Sequence, residues 1–141
     1  MKKNTIYWQL MGKISAFFLR KIACAPNTKT ISPVSDQISA RISQWVIDKK
    51  WAENLTMKEV ADSLGISREE LGVYSWALWG MNFLQWRKKT RIEEAKRLLL
   101  EHRDTPTSLI GEQVGISDKS NFRKQFKETA GCTPAEWRLK N

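Results

Sequence analysis

From about residue 34 to the end of the chain, apolar residues recur at the three- and four-residue spacing of amphipathic α-helices, and no alternation typical of strands is present. One stripe predicts a helix over about 35–50. Its members are Ile38, Ile42, Trp45 and Val46. A longer pattern predicts one central helix over about 81–101, in which Glu93 and Arg97 have the spacing of an i,i+4 ion pair. The pattern as a whole predicts an all-α fold.

Three helix starts are marked by the capping-box pattern, in which a hydroxyl and a Glu three residues later satisfy the free amides of the first turn. The pairs are Thr56 with Glu59, Ser67 with Glu70, and Thr133 with Glu136. In the last pair, Pro134 takes the first helical position, where its missing N–H costs no hydrogen bond. Pro106 ends the central helix and leads into a further helix at about residue 108.

An internal repeat relates the two halves of this helical region. Residues 61–67 (ADSLGIS) match 111–117 (GEQVGIS) at an offset of 50, and a Gly-x5-Trp-Arg pattern at 80–87 recurs at 131–138. Each copy has a short helix with a small residue, a glycine turn and a Ser-capped second helix, which is the layout of a helix-turn-helix. The turn glycines, for which we predict positive φ, are Gly65 and Gly115.

Residues 1–33 have a different pattern. Large apolar side chains crowd 6–23, but Gln9, Lys13 and Ser15 interrupt them, which fits neither a clean membrane span nor the uncharged centre of a signal peptide. Two prolines within 25–33 then mark a linker. We predict a basic, apolar N-terminal helix that lies on a membrane surface or mediates self-association through 6–23. Packing of this helix against the rest of the protein is the alternative.

Composition narrows the function classes. The 141 residues suit one domain, and 24 Lys and Arg against 15 Asp and Glu give a net charge of +9, which favours a polyanionic partner. Six of the basic residues, however, fall within the first 35 residues, where there is no acid. Cys24 and Cys132 are too few and too far apart for a disulfide framework, which predicts free thiols and a cytoplasmic location. With His102 as the only histidine and no P-loop or dinucleotide fingerprint, we expect no enzyme activity, metal or cofactor.

Four segments together resemble the DNA-binding domain of the AraC/XylS family of transcription regulators, over roughly 34–141. They read LTMKEVADSLGIS at 55–67, RIEEAKRLL at 91–99, GISDKSNFRKQFK at 115–127 and GCTPAEWR at 131–138. The resemblance implies two homeodomain-like helix-turn-helix subdomains, at about 56–80 and 107–130, joined by the central helix. It further implies a bacterial regulator that binds double-stranded DNA sequence-specifically, with two recognition helices in adjacent stretches of the major groove, and that contacts RNA polymerase.

The resemblance assigns roles to residues of the second recognition helix. The positions expected to face bases are Ser120, Asn121 and Lys124. Asn can pair with adenine and Lys with guanine in the major groove, so this set suits DNA. Phosphate contacts are expected from Lys119, Arg123 and Lys127, and also from Arg68 and Arg87 elsewhere in the domain. A solvated basic helix face is the alternative, and it extends to the basic residues 87–91 that open the central helix.

The first recognition helix departs from the family pattern. Its matching positions are Glu69, Gly72 and Val73, which lack the long polar side chains that read bases. Two basic residues stand against four acidic ones over 56–80, a balance that phosphate would repel. The second hypothesis is therefore a protein-interaction module that keeps the helix-turn-helix scaffold and has little DNA affinity.

The remaining aromatic residues are assigned mainly to the core. We predict burial of Phe122 and Phe126, and of Trp45, Trp86 and Trp137. Ser75 takes the place of a core aromatic residue that is usual in the family. Tyr74, Trp76 and Trp79 crowd the end of the first recognition helix, where burial is expected for most of their area and any exposed part would mark a partner surface.

Overall fold

The computed structural model describes residues 36–141, and this part of the chain consists of helices and turns without a strand, which confirms the predicted all-α fold. The α-helices are α1 Asp36–Ile47, α2 Met57–Leu64, α3 Arg68–Trp79, α4 Phe83–Glu101, α5 Thr107–Gln113, α6 Lys119–Ala130 and α7 Pro134–Lys140. A 3₁₀ turn, Lys50–Ala52, follows α1. The predicted N-terminal helix and linker at 1–33 lie outside the described residues. No helix between residues 36 and 141 combines the length and apolar character needed to cross a bilayer.

Local capping signals place the helix starts. All three predicted capping boxes form, with Glu carboxylates accepting from the backbone N–H of Thr56, Ser67 and Thr133. Asn82 and Asp118 cap α4 and α6, each accepting one amide hydrogen bond with its side chain. The predicted serine cap of the second recognition helix is therefore wrong, because α6 begins one residue later than the repeat predicts and Asp118, not Ser117, is its N-cap. Because these signals act over three residues, the start of each helix is specified by local sequence.

The two helix-turn-helix turns follow the prediction from the repeat. Gly65 and Gly115 both adopt left-handed backbone, with φ of 71° and 87°. Gly111 is buried where α5 meets α6, and a methyl group added there would lie 2.9 Å from both the Ile116 carbonyl oxygen and the Phe122 ring. The small residue therefore permits the close helix approach that the turn requires.

In three dimensions the repeat is a pair of three-helix units. We call residues 36–80, with α1 to α3, the first unit, and residues 83–131, with α4 to α6, the second unit. The offset of 50 relates Ile42 on α1 to Ile92 on α4, and both are buried in the core. α7 then packs on α4 and α6.

The repeated Trp-Arg pair performs the same task for each helix-turn-helix, from the helix that follows it. Arg87 donates to the carbonyl oxygen of Leu55, and Arg138 donates to that of Thr105 at 2.7 Å. Leu55 and Thr105 are themselves 50 residues apart, and each directly precedes the N-cap of its first helix-turn-helix helix. Each arginine thus fixes the entry to one helix-turn-helix.

The core is aromatic on the side of the first unit. Trp45 packs against Phe83 and Trp86, and Trp86 stacks on Trp79 with ring centroids 3.8 Å apart. As predicted, Trp45 is buried, and Trp86 and Trp137 are partly buried against the core. Phe122 and Phe126 are buried as well, in line with the prediction. Ser75 is fully buried, and its hydroxyl donates to the Leu71 carbonyl oxygen.

One predicted ion pair is wrong. Arg97 does not pair with Glu93; it donates to both carboxylate oxygens of Glu94 and also to Glu101. Glu94 is buried and also accepts from Lys49 at 2.7 Å, so it offers Arg97 a less hydrated carboxylate than Glu93 does. Glu93 pairs with Lys96 on the helix surface instead.

Candidate nucleic-acid interface

The outward face of α6 carries most of the residues predicted to contact DNA. Phe122 and Phe126 bury one side of the helix and meet edge-on, which fixes its rotation. Most of the remaining surface of the helix is exposed to solvent. It presents Lys119, Ser120, Asn121, Arg123, Lys124 and Lys127. The structure therefore brings together the three predicted base-facing residues and three of the predicted phosphate-contacting residues on one helix.

Most of these polar groups have no intramolecular partner. The Asn121 side-chain oxygen accepts a hydrogen bond from Gln125 at 2.9 Å. The other five side chains of this face make no hydrogen bond or ion pair with any residue in the described range 36–141. Their donors are thus available to an external acceptor.

An acidic side chain next to this face, that of Glu128, is held in an ion pair with α4. Glu128 accepts from Lys88 of α4 at 2.6 Å, and this hydrogen bond, with the Lys88 charge, lowers the pKa of the Glu128 carboxyl. Among the basic residues that open α4, Lys88 is therefore occupied with α6. At the C-terminal half of the face, Lys124 and Lys127 are attracted by the charges of Glu128 and Glu136, whose pKa values they help to lower.

A groove runs beside the N-terminal half of this face. Lys119 and Arg123 line it from α6, and the hydroxyl-bearing Thr107 and Ser108 line it from α5. Thr133 and Pro134, at the start of α7, close the other side. Cationic side chains and hydroxyls together are the groups that contact a phosphate backbone. No local sequence pattern predicts this groove, because it forms from three separate helices.

The corresponding face of α3 is chemically different. α3 begins at Arg68 and α6 begins at Lys119, so equivalent positions of the two recognition helices are 51 residues apart. Val73 therefore corresponds to Lys124, and Trp76 corresponds to Lys127. Val73 is 42% exposed and Trp76 is 60% exposed, and Glu69 lies on the same face. The predicted weak positions Glu69 and Val73 thus point outward beside an exposed tryptophan, with the half-buried Gly72 between them.

The crowded aromatic residues at the end of α3 divide between core and surface. Tyr74 is buried and Trp79 is covered by Trp86, as expected for most of this area. Trp76 is the exception, because its ring stays largely in solvent.

The other two predicted phosphate contacts lie apart from α6. Arg68 is exposed at the first position of α3. Arg87 is half-buried, stacks over the Phe83 ring at 5.2 Å and gives a hydrogen bond to Leu55, so its guanidinium is engaged within the protein. The sequence did not predict this internal hydrogen bond of Arg87, although the repeated Trp-Arg pair was a signal that could have indicated it.

Comparison with known proteins decides the family. A family model described as a helix-turn-helix domain matches residues 60–140, more than half of the chain. The chain belongs to the AraC-type helix-turn-helix family. The match covers α3, the central helix and the whole second helix-turn-helix, so the AraC-type domain includes the α6 face and its groove.

Relatives of the AraC-type domain are transcription regulators by name. The chain is 29% identical to the arabinose operon regulatory protein of Escherichia coli (strain K12), over 78% of this chain and 37% of that protein. It is 30% identical to the uncharacterized transcriptional regulatory protein YesN of Bacillus subtilis (strain 168), over 73% of this chain and 28% of that protein. The chain therefore spans less than half the length of the curated relatives it matches.

A solved structure supports the arrangement of helices. The C-terminal domain of AraT, a response regulator from Geobacillus stearothermophilus, matches with a TM-score of 0.67 and 28% identity, covering 78% of this chain and 89% of that one. The AraC-type domain described here is thus similar to a domain found at the C-terminus of a longer regulator.

Proposed function

We propose that this protein is a sequence-specific DNA-binding transcription regulator in which α6 is the main base-reading helix. The observation that carries the proposal is the α6 face, where six polar or basic side chains are exposed and five have no hydrogen-bond partner in residues 36–141. Such a helix projecting from a helix-turn-helix fits the major groove of B-DNA. Double-stranded DNA is accordingly the partner.

The chemistry of each position supports the assignment. The Asn121 amide can both donate to and accept from adenine, and the Lys124 ammonium can donate to guanine O6 and N7. Ser120 can donate to or accept from either purine. Lys119 and Arg123 line the groove where a phosphate would lie beside the base-reading face, and Lys127 extends the same cationic face by one turn.

The proposal is tested by selecting binding sites from a random pool of double-stranded DNA with the whole chain. Enrichment of a defined sequence is expected, and affinity for it should fall log-linearly with salt, with a slope of about −4 if four cationic side chains neutralise phosphates. A pool that stays random after repeated rounds, with no salt-dependent binding, would refute the proposal.

A second candidate function rests on a different observation, the exposed Val73 and Trp76 beside Glu69 on α3. In this alternative the acidic, apolar face of the first unit docks another protein, and DNA affinity is small. RNA polymerase is the protein partner that the family resemblance implies.

In this alternative, Trp76→Ala should abolish binding of polymerase to the protein without changing retention on DNA. Retention on nonspecific DNA that is weak and independent of salt would favour this alternative over the main proposal.

A further inference from the structure

The correspondence between the two units breaks at one pair of arginines. Arg41 on α1 and Arg91 on α4 are equivalent by the 50-residue offset. Arg41 donates from Nη1 to the Leu64 carbonyl oxygen at 3.1 Å, so it stays within its own unit. Arg91 turns away from its own unit, and donates from Nε to the Trp51 carbonyl oxygen at 2.8 Å and from Nη2 to that of Glu53 at 2.9 Å.

The turn glycines of the two units also differ in which unit they contact. A methyl group added at Gly65 would meet only the end of the Arg41 side chain, at 3.1 Å. A methyl group at Gly115 would overlap the carbonyl group of Ala52 in the first unit and lie 3.0 Å from Arg91 Nη2. The backbone around Ala52 is therefore seated directly on the helix-turn-helix turn of the second unit.

Arg91 is held there without a carboxylate among its hydrogen-bond partners. Burial, with a smaller contribution from the neighbouring Arg87 charge, lowers the pKa of Arg91 to about 10. A guanidinium withdrawn from water needs its donors satisfied, and the two first-unit carbonyl oxygens do this. The side chain of Trp51, one of the two acceptor residues, is buried in the core, so this stretch of backbone is itself held in place.

We propose that residues 51–53, Arg91 and Gly115 form a joint that fixes the angle between the two helix-turn-helix units and thereby the spacing of the DNA segments they contact. The role in DNA spacing rests on the proposed DNA binding, whereas the joint itself is a property of the protein alone. Two recognition helices on one rigid body meet the major groove only where the contacted segments have a matching separation.

Spin-label distances in the absence of DNA test the joint. Ser63 and Gln113 are equivalent exposed positions in the two units, and cysteines there can be labelled in a Cys24→Ser, Cys132→Ala background. Gly115→Ala is compared with Gly65→Ala, since both glycines have positive φ and both substitutions strain the backbone. We expect one narrow distance distribution for the parent and for Gly65→Ala, and a displaced or broader one for Gly115→Ala. Identical distributions in all three proteins would overturn the joint.

Two arginine variants test the joint without straining the backbone, and they replace the glycine variants if Gly115→Ala does not fold. Arg91→Ala should broaden the spin-label distribution, and Arg41→Ala, which loses a bond within one unit, should not. Equal broadening in both variants would show that Arg91 has only a general structural role.

The consequence for DNA is measured on the selected site and on a version with one base pair inserted between the segments contacted by the two units. The unmodified protein and Arg41→Ala should lose about tenfold in affinity on insertion, and Arg91→Ala only about threefold or less. An unmodified protein that tolerates the insertion as well as Arg91→Ala does would overturn the spacing role. A protein that selects no DNA would refute the proposed function, while the spin-label distances would still decide the joint.

Discussion

Val73 and Lys124 occupy the same place in two copies of one helix, yet only Lys124 can donate a hydrogen bond to a base edge. Asn121→Ala and Lys124→Ala should each weaken binding to a selected site by about 1–3 kcal/mol and relax base preference at one position. Glu69→Ala, on the matching face of α3, is the control and should have a much smaller effect. Fluorescence anisotropy on labelled sites measures all three. A large loss with Glu69→Ala and none with the α6 variants would invert the assignment of the reading helix.

Glu94 is a buried carboxylate whose charge contributes to stability. Burial raises its pKa, but hydrogen bonds and charges from Arg97 and Lys49 outweigh this, and the net pKa lies below its ordinary value near 4.5. A carboxyl with a lower pKa in the folded than in the unfolded state stabilises the fold fully above about pH 4.5, and this contribution is lost as pH falls through the folded-state pKa.

Glu94→Gln should therefore destabilise the protein by about 1–3 kcal/mol at pH 7, and the difference from the unmodified protein should shrink below about pH 4.5. Urea unfolding at several pH values measures it. The surface residue Glu93, which within residues 36–141 pairs with Lys96 alone, supplies the control variant Glu93→Gln. A deficit that stays constant down to pH 3 would show that packing, rather than charge, explains the loss.

Residue roles that depend on local sequence were predictable, and those that depend on distant backbone were not. The resemblance to the family implied which residues make up the α6 face, and the four-residue spacing of Phe122 and Phe126 predicted which side of this helix is buried. Arg87 and Arg91 find their acceptors on carbonyl groups 32 and 40 residues away. Every residue has a backbone carbonyl group, so no residue type in the sequence identifies the acceptors. The basic stretch at 87–91 therefore did not show which of its side chains point into the protein.

Among the elements, each helix-turn-helix depends on an arginine that holds its entry segment. Arg138 donates to the carbonyl oxygens of Leu99, His102 and Thr105. Arg138→Ala should lower the free energy of unfolding by about 1.5–3 kcal/mol, since hydrogen bonds from a charged donor would be lost. Arg138→Lys should rescue little, because one ammonium cannot span three acceptors.

Thermal and urea unfolding measure this effect, with Lys89→Ala as the control, since Lys89 is exposed on α4 and has no hydrogen-bond partner within residues 36–141. If Arg138→Ala were no less stable than Lys89→Ala, the repeated Trp-Arg pair would have no clamping role.

The boundaries of the elements show why the fold was predictable and one turn was not. Capping boxes and turn glycines act within a few residues, and each of those predictions is confirmed. α1 instead ends at Ile47, earlier than the periodicity predicted, because Lys49 takes left-handed backbone with φ of 55° and the 3₁₀ turn carries Trp51 into the core. Both features depend on contacts with α4, including the Lys49–Glu94 pair, which lie outside any local window.

For the whole molecule, charge is distributed unevenly over the units. The net charge of +9 includes six basic residues in the first 35, whereas residues 56–80 hold two basic and four acidic residues. Attraction to a polyanion is thus weakest at the first helix-turn-helix, whose net charge is negative. This distribution favours one DNA-reading face rather than two equal ones.

The final prediction concerns residues 1–33, whose predicted membrane or self-association role lies outside the described residues. Large apolar side chains in 6–23 would leave an exposed patch that soluble proteins avoid, and five basic residues within 1–23 would each add about 1 kcal/mol of attraction to anionic headgroups. Deleting 1–33 should abolish flotation with anionic liposomes or reduce the oligomer mass seen by light scattering, and leave affinity for the selected DNA site unchanged. Neutral liposomes are the control. A whole chain that is monomeric and free of lipid, together with a deletion that unfolds residues 36–141, would show instead that the segment is part of the core.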